Sequence, residues 1–164
     1  MSSDGVVADK ALVVTHPHEK FDHGIVGEDF VEYVEHFEGD TYVVPFDGIR
    51  QCERPYGDAS SYDNILNEVG SGKLHEDDAE FLAENYGKVV LAGGYARECL
   101  SNTHSSLSGK DVELEIEPSL TYDQSGSNTK GFTMEKVIST GDREIIDKYL
   151  GQFEDGHTSL AKGL

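Results

Sequence analysis

Val89-Val90-Leu91-Ala92-Gly93-Gly94-Tyr95-Ala96-Arg97-Glu98-Cys99-Leu100 reads as a buried strand, a glycine turn and a cysteine in the first turn of a helix. An unbroken apolar run before the turn is what a strand covered on both faces requires. A thiol at a helix N-terminus feels the positive end of the peptide dipoles, which lowers its pKa and favours the nucleophilic thiolate. The same pattern also suits a small residue packing a helix against a sheet, because cysteine is among the most buried residue types.

Two more runs carry the strand signature, Ala11-Leu12-Val13-Val14 and Thr41-Tyr42-Val43-Val44. Between them Phe30, Val31, Val34 and Phe37 recur at helical spacing, with Gly39 as the stop. Ser60 to Val69 is read as a short helix closed by Gly70-Ser71-Gly72. Phe81, Leu82 and Tyr86 mark another, opened by Asp77 or Asp78 and ended by Gly87. The Cys99 helix runs to about Leu107. Beyond it Asp111, Glu113, Glu115 and Glu117 alternate with Val112, Leu114 and Ile116, so one face of that strand is apolar and the other carries four carboxylates. Thr121 to Gly131 is polar, Phe132 to Ile138 reads as a last strand, and Ile145, Ile146, Tyr149 and Leu150 mark a last helix. Gly151 to Leu164 is a weakly patterned tail. Strands alternating with helices predict one α/β domain over 1–164, its core about 10–150. The expected architecture is three-layered and Rossmann-like, a mainly parallel sheet with helices on both faces and the active edge at the strands' carboxyl ends.

The 164 residues include 32 acidic and 13 basic ones, a formal charge of −19. The acids are spread along the whole chain. An even acidic coat suits a protein hydrated in concentrated salt, where self-repulsion is screened. The expected source is therefore halophilic, most simply haloarchaeal, and the expected location its cytoplasm or a virion. No basic face is available to release counterions from phosphates, which excludes nucleic acid as a direct partner. No apolar run approaches the roughly 20 residues of a membrane helix. Met1 to Gly5 has neither a basic nor an apolar leader pattern.

The loop after the first strand reads Thr15-His16-Pro17-His18-Glu19-Lys20-Phe21-Asp22-His23-Gly24. His16, His18 and His23 are candidate metal ligands with Asp22. This spacing is superficially similar to the His-x-His-x-Asp-His signature of the metallo-β-lactamase fold, with two extra residues before the Asp-His pair. The run equally fits a solvated loop.

Lys10 to Gly24 resembles the first strand and loop of isochorismatase-like cysteine hydrolases, an apolar strand followed by Asp-x-Gln-x-x-Phe and a glycine three residues later. Phe21 and Gly24 match. Val89 to Leu100 resembles that family's nucleophile segment, a strand, a glycine, five residues, a cysteine and an aliphatic residue; Gly93 and Cys99 match. Ser119 and the unit Val137 to Leu150 follow in the family's order. The resemblance implies a nucleophilic Cys99, a base after strand one, a lysine from mid-chain, and an oxyanion hole of backbone N–H groups beside a cis peptide near Gly94-Tyr95. It implies no cofactor. His18, Gly94 and Tyr95 then become binding residues. Where the family has aspartate and glutamine, this chain has His16 and His18. Lys73 lies nearer Cys99 than a counterpart lysine should, and the polar stretch Thr121 to Gly131 stands where a covering helix is expected.

Two readings follow. In one, the catalytic set has degenerated and the fold serves as a structural or interaction subunit of an assembly, contacting itself or other subunits through 111–131. In the other, His16 takes the base role and Cys99 hydrolyses a small amide or ester.

Overall fold

The three apolar runs become the three central strands. A computed structural model describes residues 9–17, 27–44, 63–66, 68–124, 131–153 and 158–160. Strands β1 (Lys10–Thr15), β2 (Asp40–Val44) and β6 (Lys88–Gly93) lie parallel, with Val13 in register with Tyr42 on one side and Leu91 on the other. After their first residues all three are buried. They sit in a seven-stranded sheet ordered β9-β7-β6-β1-β2-β3, where β3 is Asn64–Ile65, β7 is Glu113–Gln124 and β9 is Thr158–Leu160. β8 (Gly131–Thr133) pairs antiparallel with the far end of β7. A separate hairpin is built from β4 (Glu68–Gly70) and β5 (Lys73–Leu74).

Side chains alternate across the sheet, which splits the core in two. Ala11, Val13, Val89, Leu91, Leu114 and Ile116 pack with α2 (Glu76–Asn85), α3 (Cys99–Ser108), α4 (Met134–Ser139) and α5 (Arg143–Leu150). Leu12, Val14, Val43, Val90 and Ala92 pack with Phe30 and Val34 of α1 (Gly27–His36). Among the described residues α1 is the one helix on its face. The layers and the parallel sheet are those expected from the sequence.

Four local expectations are corrected. Phe132 to Ile138 is not a strand: after β8 the chain turns into α4, because the Thr133 side chain accepts from the Lys136 N–H and Met134 and Val137 bury one helical face. The sequence tail is not featureless. Phe153 is buried in a 3₁₀ turn (Gly151–Phe153) against the His104 ring, and Thr158 pairs with Leu114 as β9 covers the open edge of β7. The last two parallel strands, β7 and β9, are thus bridged by α4 and α5 rather than by a bare loop. Within Ser60 to Val69, the described part contains β3 and the start of β4 instead of a helix.

The fourth concerns the carboxylate row. Lys88 Nζ lies 3.5 Å from Glu113 and 3.3 Å from Glu115, so β6 neutralises two of the acids. Both partners hold the Lys88 pKa above its usual value, the Glu115 hydrogen bond most of all. Glu117 is buried; it accepts from Ser119 N and Oγ and pairs with the Tyr33 hydroxyl of α1. What period-2 spacing presents as a bare acidic face is largely paired in the folded chain.

Candidate active site

β6 ends at Gly93, whose φ of +108° lies in the region open to glycine. A Cβ there would collide with the Thr15 carbonyl of β1. The two strands close on one another at their carboxyl ends, and Gly94 N donates to that same Thr15 oxygen at 3.1 Å. The Gly94-Tyr95 peptide is cis. A Cβ on Gly94 would stand 2.5 Å from the Tyr122 carbonyl, so the turn also runs flush against β7. Tyr95 stacks edge-on against Tyr122 at 5.9 Å, and its carbonyl accepts from Glu98 N and Leu100 N.

Cys99 is the first residue of α3 and is half-buried. One helical turn later, Thr103 is fully buried and ties three segments together. Its hydroxyl oxygen lies 2.6 Å from the Gly72 carbonyl, 2.7 Å from Thr15 Oγ1 and 3.2 Å from the Cys99 carbonyl. With a single proton to give, Thr103 donates to Gly72 at the shortest distance and accepts from Thr15. The end of β1 and the start of α3 are joined through that one side chain.

His16 follows Thr15 immediately. It is fully buried and adopts φ +50°, a left-handed conformation that histidine tolerates better than branched residues. Its N–H donates to the Val44 carbonyl at 2.9 Å, and its own carbonyl accepts from the Tyr122 phenol. His16 is therefore held inside the carboxyl edge of the sheet, on the strand beside the Gly93 turn, and is not turned to water.

Lys73 is exposed on β5. Its hairpin braces α3 with main-chain atoms: Gly72 packs against the Cys99 carbonyl, the Ser71 carbonyl accepts from Asn102 Nδ2 at 2.8 Å, and Leu74 N donates to Ser106 Oγ at 3.1 Å. His18 and His23 lie outside the described residues. Among the described residues no group of three or more His, Cys, Asp or Glu is arranged to hold a metal.

Sequence reading missed the residues that secure the turn. Thr15, Thr103 and Tyr122 gave no signal beyond Thr103 lying one helical turn from Cys99. Arg97 and Asp123 gave none. Asp123 is 2% exposed, and its Oδ2 accepts from Arg97 Nε at 2.7 Å and from Arg97 N at 3.2 Å. The hydrogen bond to Asp123 raises the Arg97 pKa above its usual value, so the guanidinium stays charged. The guanidinium lies over the Tyr149 ring at 5.1 Å.

No family model and no curated protein matches the chain. Solved structures do. An isochorismatase family protein aligns over 94% of this chain and 98% of its own, with a TM-score of 0.60 and 12% identity. A structure from Oleispira antarctica described as an isochorismatase hydrolase aligns over 98% and 95%, with a TM-score of 0.62 and 9% identity. The nicotinamidase of Staphylococcus aureus aligns over 84% and 96%, with a TM-score of 0.53 and 11% identity. This chain has the isochorismatase-like fold. At such identities the likeness concerns the path of the backbone, and chemistry has to be argued from the side chains. Within the isochorismatase-like fold, the end of β1 and the β6–α3 turn meet at one sheet edge, and the resemblance read from the sequence includes those two places.

Proposed function

We propose that the chain is a cysteine hydrolase of a small amide or ester, with Cys99 as nucleophile and His16 as base. The observation that supports it most is the burial of His16 at the end of β1, beside the turn that leads to Cys99. A base that had lost its role would be free to face solvent, whereas this one occupies a left-handed position secured on both sides by hydrogen bonds.

In this reading His16 takes the Cys99 proton and the thiolate attacks the substrate carbonyl carbon. The C–N or C–O bond breaks, His16 returns the proton to the departing amine or alcohol, and an acyl thioester remains. Water then gives its proton to His16 and its oxygen to the acyl carbon. The thiolate leaves and is reprotonated, so one water is consumed and one acid and one amine or alcohol are released. Backbone N–H groups of the turn around Tyr95 and Cys99 hold the oxyanion, and Tyr95 and His18 contact the substrate.

A panel of small aryl amides and esters in molar salt tests this. Turnover by the native chain that disappears in Cys99→Ala is expected. Cys99 alkylation no faster than that of a model thiol, with no turnover, overturns it.

A second reading is a non-catalytic subunit of an assembly, for which the exposed Asp111 and the 56%-exposed Glu113 side chain near the start of β7 are the favouring observation. It calls for self-association or capture of other subunits through 111–131, which sedimentation across salt concentrations measures. The acidic composition supports a high-salt cytoplasm or a virion as the location in either reading.

A further inference from the structure

The turn from Gly94 to Cys99 has an unusual support. Residues 96–98 lie ahead of α3, and the N-cap residue, Glu98, makes no side-chain cap bond. Two N–H groups of this turn are instead held by the neighbouring strand. Ala96 N donates to the Tyr122 carbonyl at 2.8 Å, and Arg97 N to Asp123 Oδ2 at 3.2 Å, both at the end of β7. A carboxylate bound there does for the turn what a capping side chain does for a helix start.

A lone buried carboxylate bound to the backbone two residues before the nucleophile carries a cost, because a nearby negative charge disfavours a thiolate. Arg97 removes that cost. Its Nε shares Asp123 Oδ2 at 2.7 Å, and its guanidinium is braced by the Tyr149 ring. Asp123 is 2% exposed against 33% for the Arg97 side chain, so the anion is shielded while its partner reaches the rim. Among the described residues, the other charged or titratable groups adjoining Cys99 by sequence, register or packing are Glu98 on the turn, His16 at the end of β1 and Lys73 on the bracing hairpin.

We propose that Asp123 is a positioning residue for Cys99: its buried carboxylate clamps the backbone of Arg97, fixing the turn that aims the N-terminus of α3, while the Arg97 side chain cancels its charge. This rests on the reading of Cys99 as nucleophile. The clamp holds Cys99 in the first turn of α3, where the helix dipoles favour a thiolate, and the Asp123–Arg97 pair adds no net charge there.

The test is the pH profile of iodoacetamide alkylation of Cys99 in the full chain, with Cys52→Ser as the reference background. The reference is expected to reach half-maximal rate below the pH of a model thiol. Asp123→Ala combined with Arg97→Met removes the acceptor on Arg97 N and both charges of the pair, so the clamp is lost with no bare charge left beside the thiol. Its midpoint should rise by about one pH unit, with alkylation about tenfold slower at pH 7. Arg97→Met keeps the backbone bond and exposes the uncompensated carboxylate, and should move the midpoint in the same direction. A bystander ion pair would lower the melting temperature of both variants and leave the midpoint at the reference value; that result overturns the proposal. If the double variant does not fold, an unmoved midpoint in Arg97→Met overturns it equally. A reference profile that already matches the model thiol overturns the nucleophile reading, and this inference with it.

Discussion

Gly93 and His16 occupy backbone angles that few residues accept, and they adjoin one another at the closed end of β1 and β6. Gly93→Ala must both adopt φ near +108° and push aside the Thr15 carbonyl. It is expected to lower stability by roughly 1–3 kcal/mol, the range for a strained residue, as read from the urea midpoint. His16→Asn separates fold from chemistry: asparagine also tolerates the left-handed region, but it lacks the imidazole base. The expected result is an unchanged circular dichroism spectrum with turnover down by about 10²–10⁴-fold, the usual contribution of a general base. A variant that keeps full activity removes His16 from the mechanism. Cys99, Gly93 and Gly94 were legible from the sequence because the strand, the turn and the helix start are consecutive. His16 was nominated as a base only by resemblance, and its burial is a property of the folded sheet.

At the scale of elements, three segments converge on Thr103: the hairpin through Gly72, β1 through Thr15 and the first turn of α3 through Cys99. Thr103→Val keeps the shape and deletes the hydroxyl. The buried Gly72 carbonyl and Thr15 hydroxyl then lose a partner, at an expected cost of about 1–3 kcal/mol in chemical denaturation. A cost near zero would mean that the hairpin is not bound through this contact. α5 is capped by Asp142, whose side chain accepts from Glu144 N and Ile145 N, so Asp142→Ala should cost about 1 kcal/mol. Helices and central strands were readable where their periodicity was long. Phe132 to Ile138 misled because a short apolar run fits either period; the Thr133 cap and the burial of Met134 and Val137 against the sheet resolve it as helix. β9 was unreadable because three residues hold too little pattern, and it becomes a strand only because β7 offers an open edge.

At the scale of the molecule, charge governs the response to solvent. The chain carries a net charge of −19, and raising salt from about 0.1 M to 1 M shortens the screening length from about 10 Å to about 3 Å. The urea midpoint is expected to climb across that range; a flat or falling midpoint would remove the high-salt reading. Alkali acts the other way. The Tyr33 hydroxyl is raised by burial and then by Glu117 and Glu115, and the Tyr86 hydroxyl by burial and its hydrogen bond to Asp40. A folded-state pKa above the unfolded value of about 10 favours the neutral form. Their contribution is therefore complete below about pH 10 and lost as the pH rises toward the folded values. Tyrosinate absorbance and circular dichroism should change together on alkaline titration. Tyrosinate forming in two early steps with the fold intact would contradict this.

The chain's own order of residues was enough for the α/β class, the parallel central strands and the glycine turn into Cys99, because each is set by neighbours a few positions apart. Spatial arrangement alone settled which side chains meet. Asp123 reaches Arg97 across 26 positions, Thr15 reaches Thr103 across 88, and Tyr122 reaches His16 across 106. The carboxylates of β7 read as a bare acidic face in one dimension and are paired by Lys88 and Tyr33 in three. Hydrophobic period records which face of an element is buried, but the partner on that face depends on strand order and register, and those exist only once the sheet has formed.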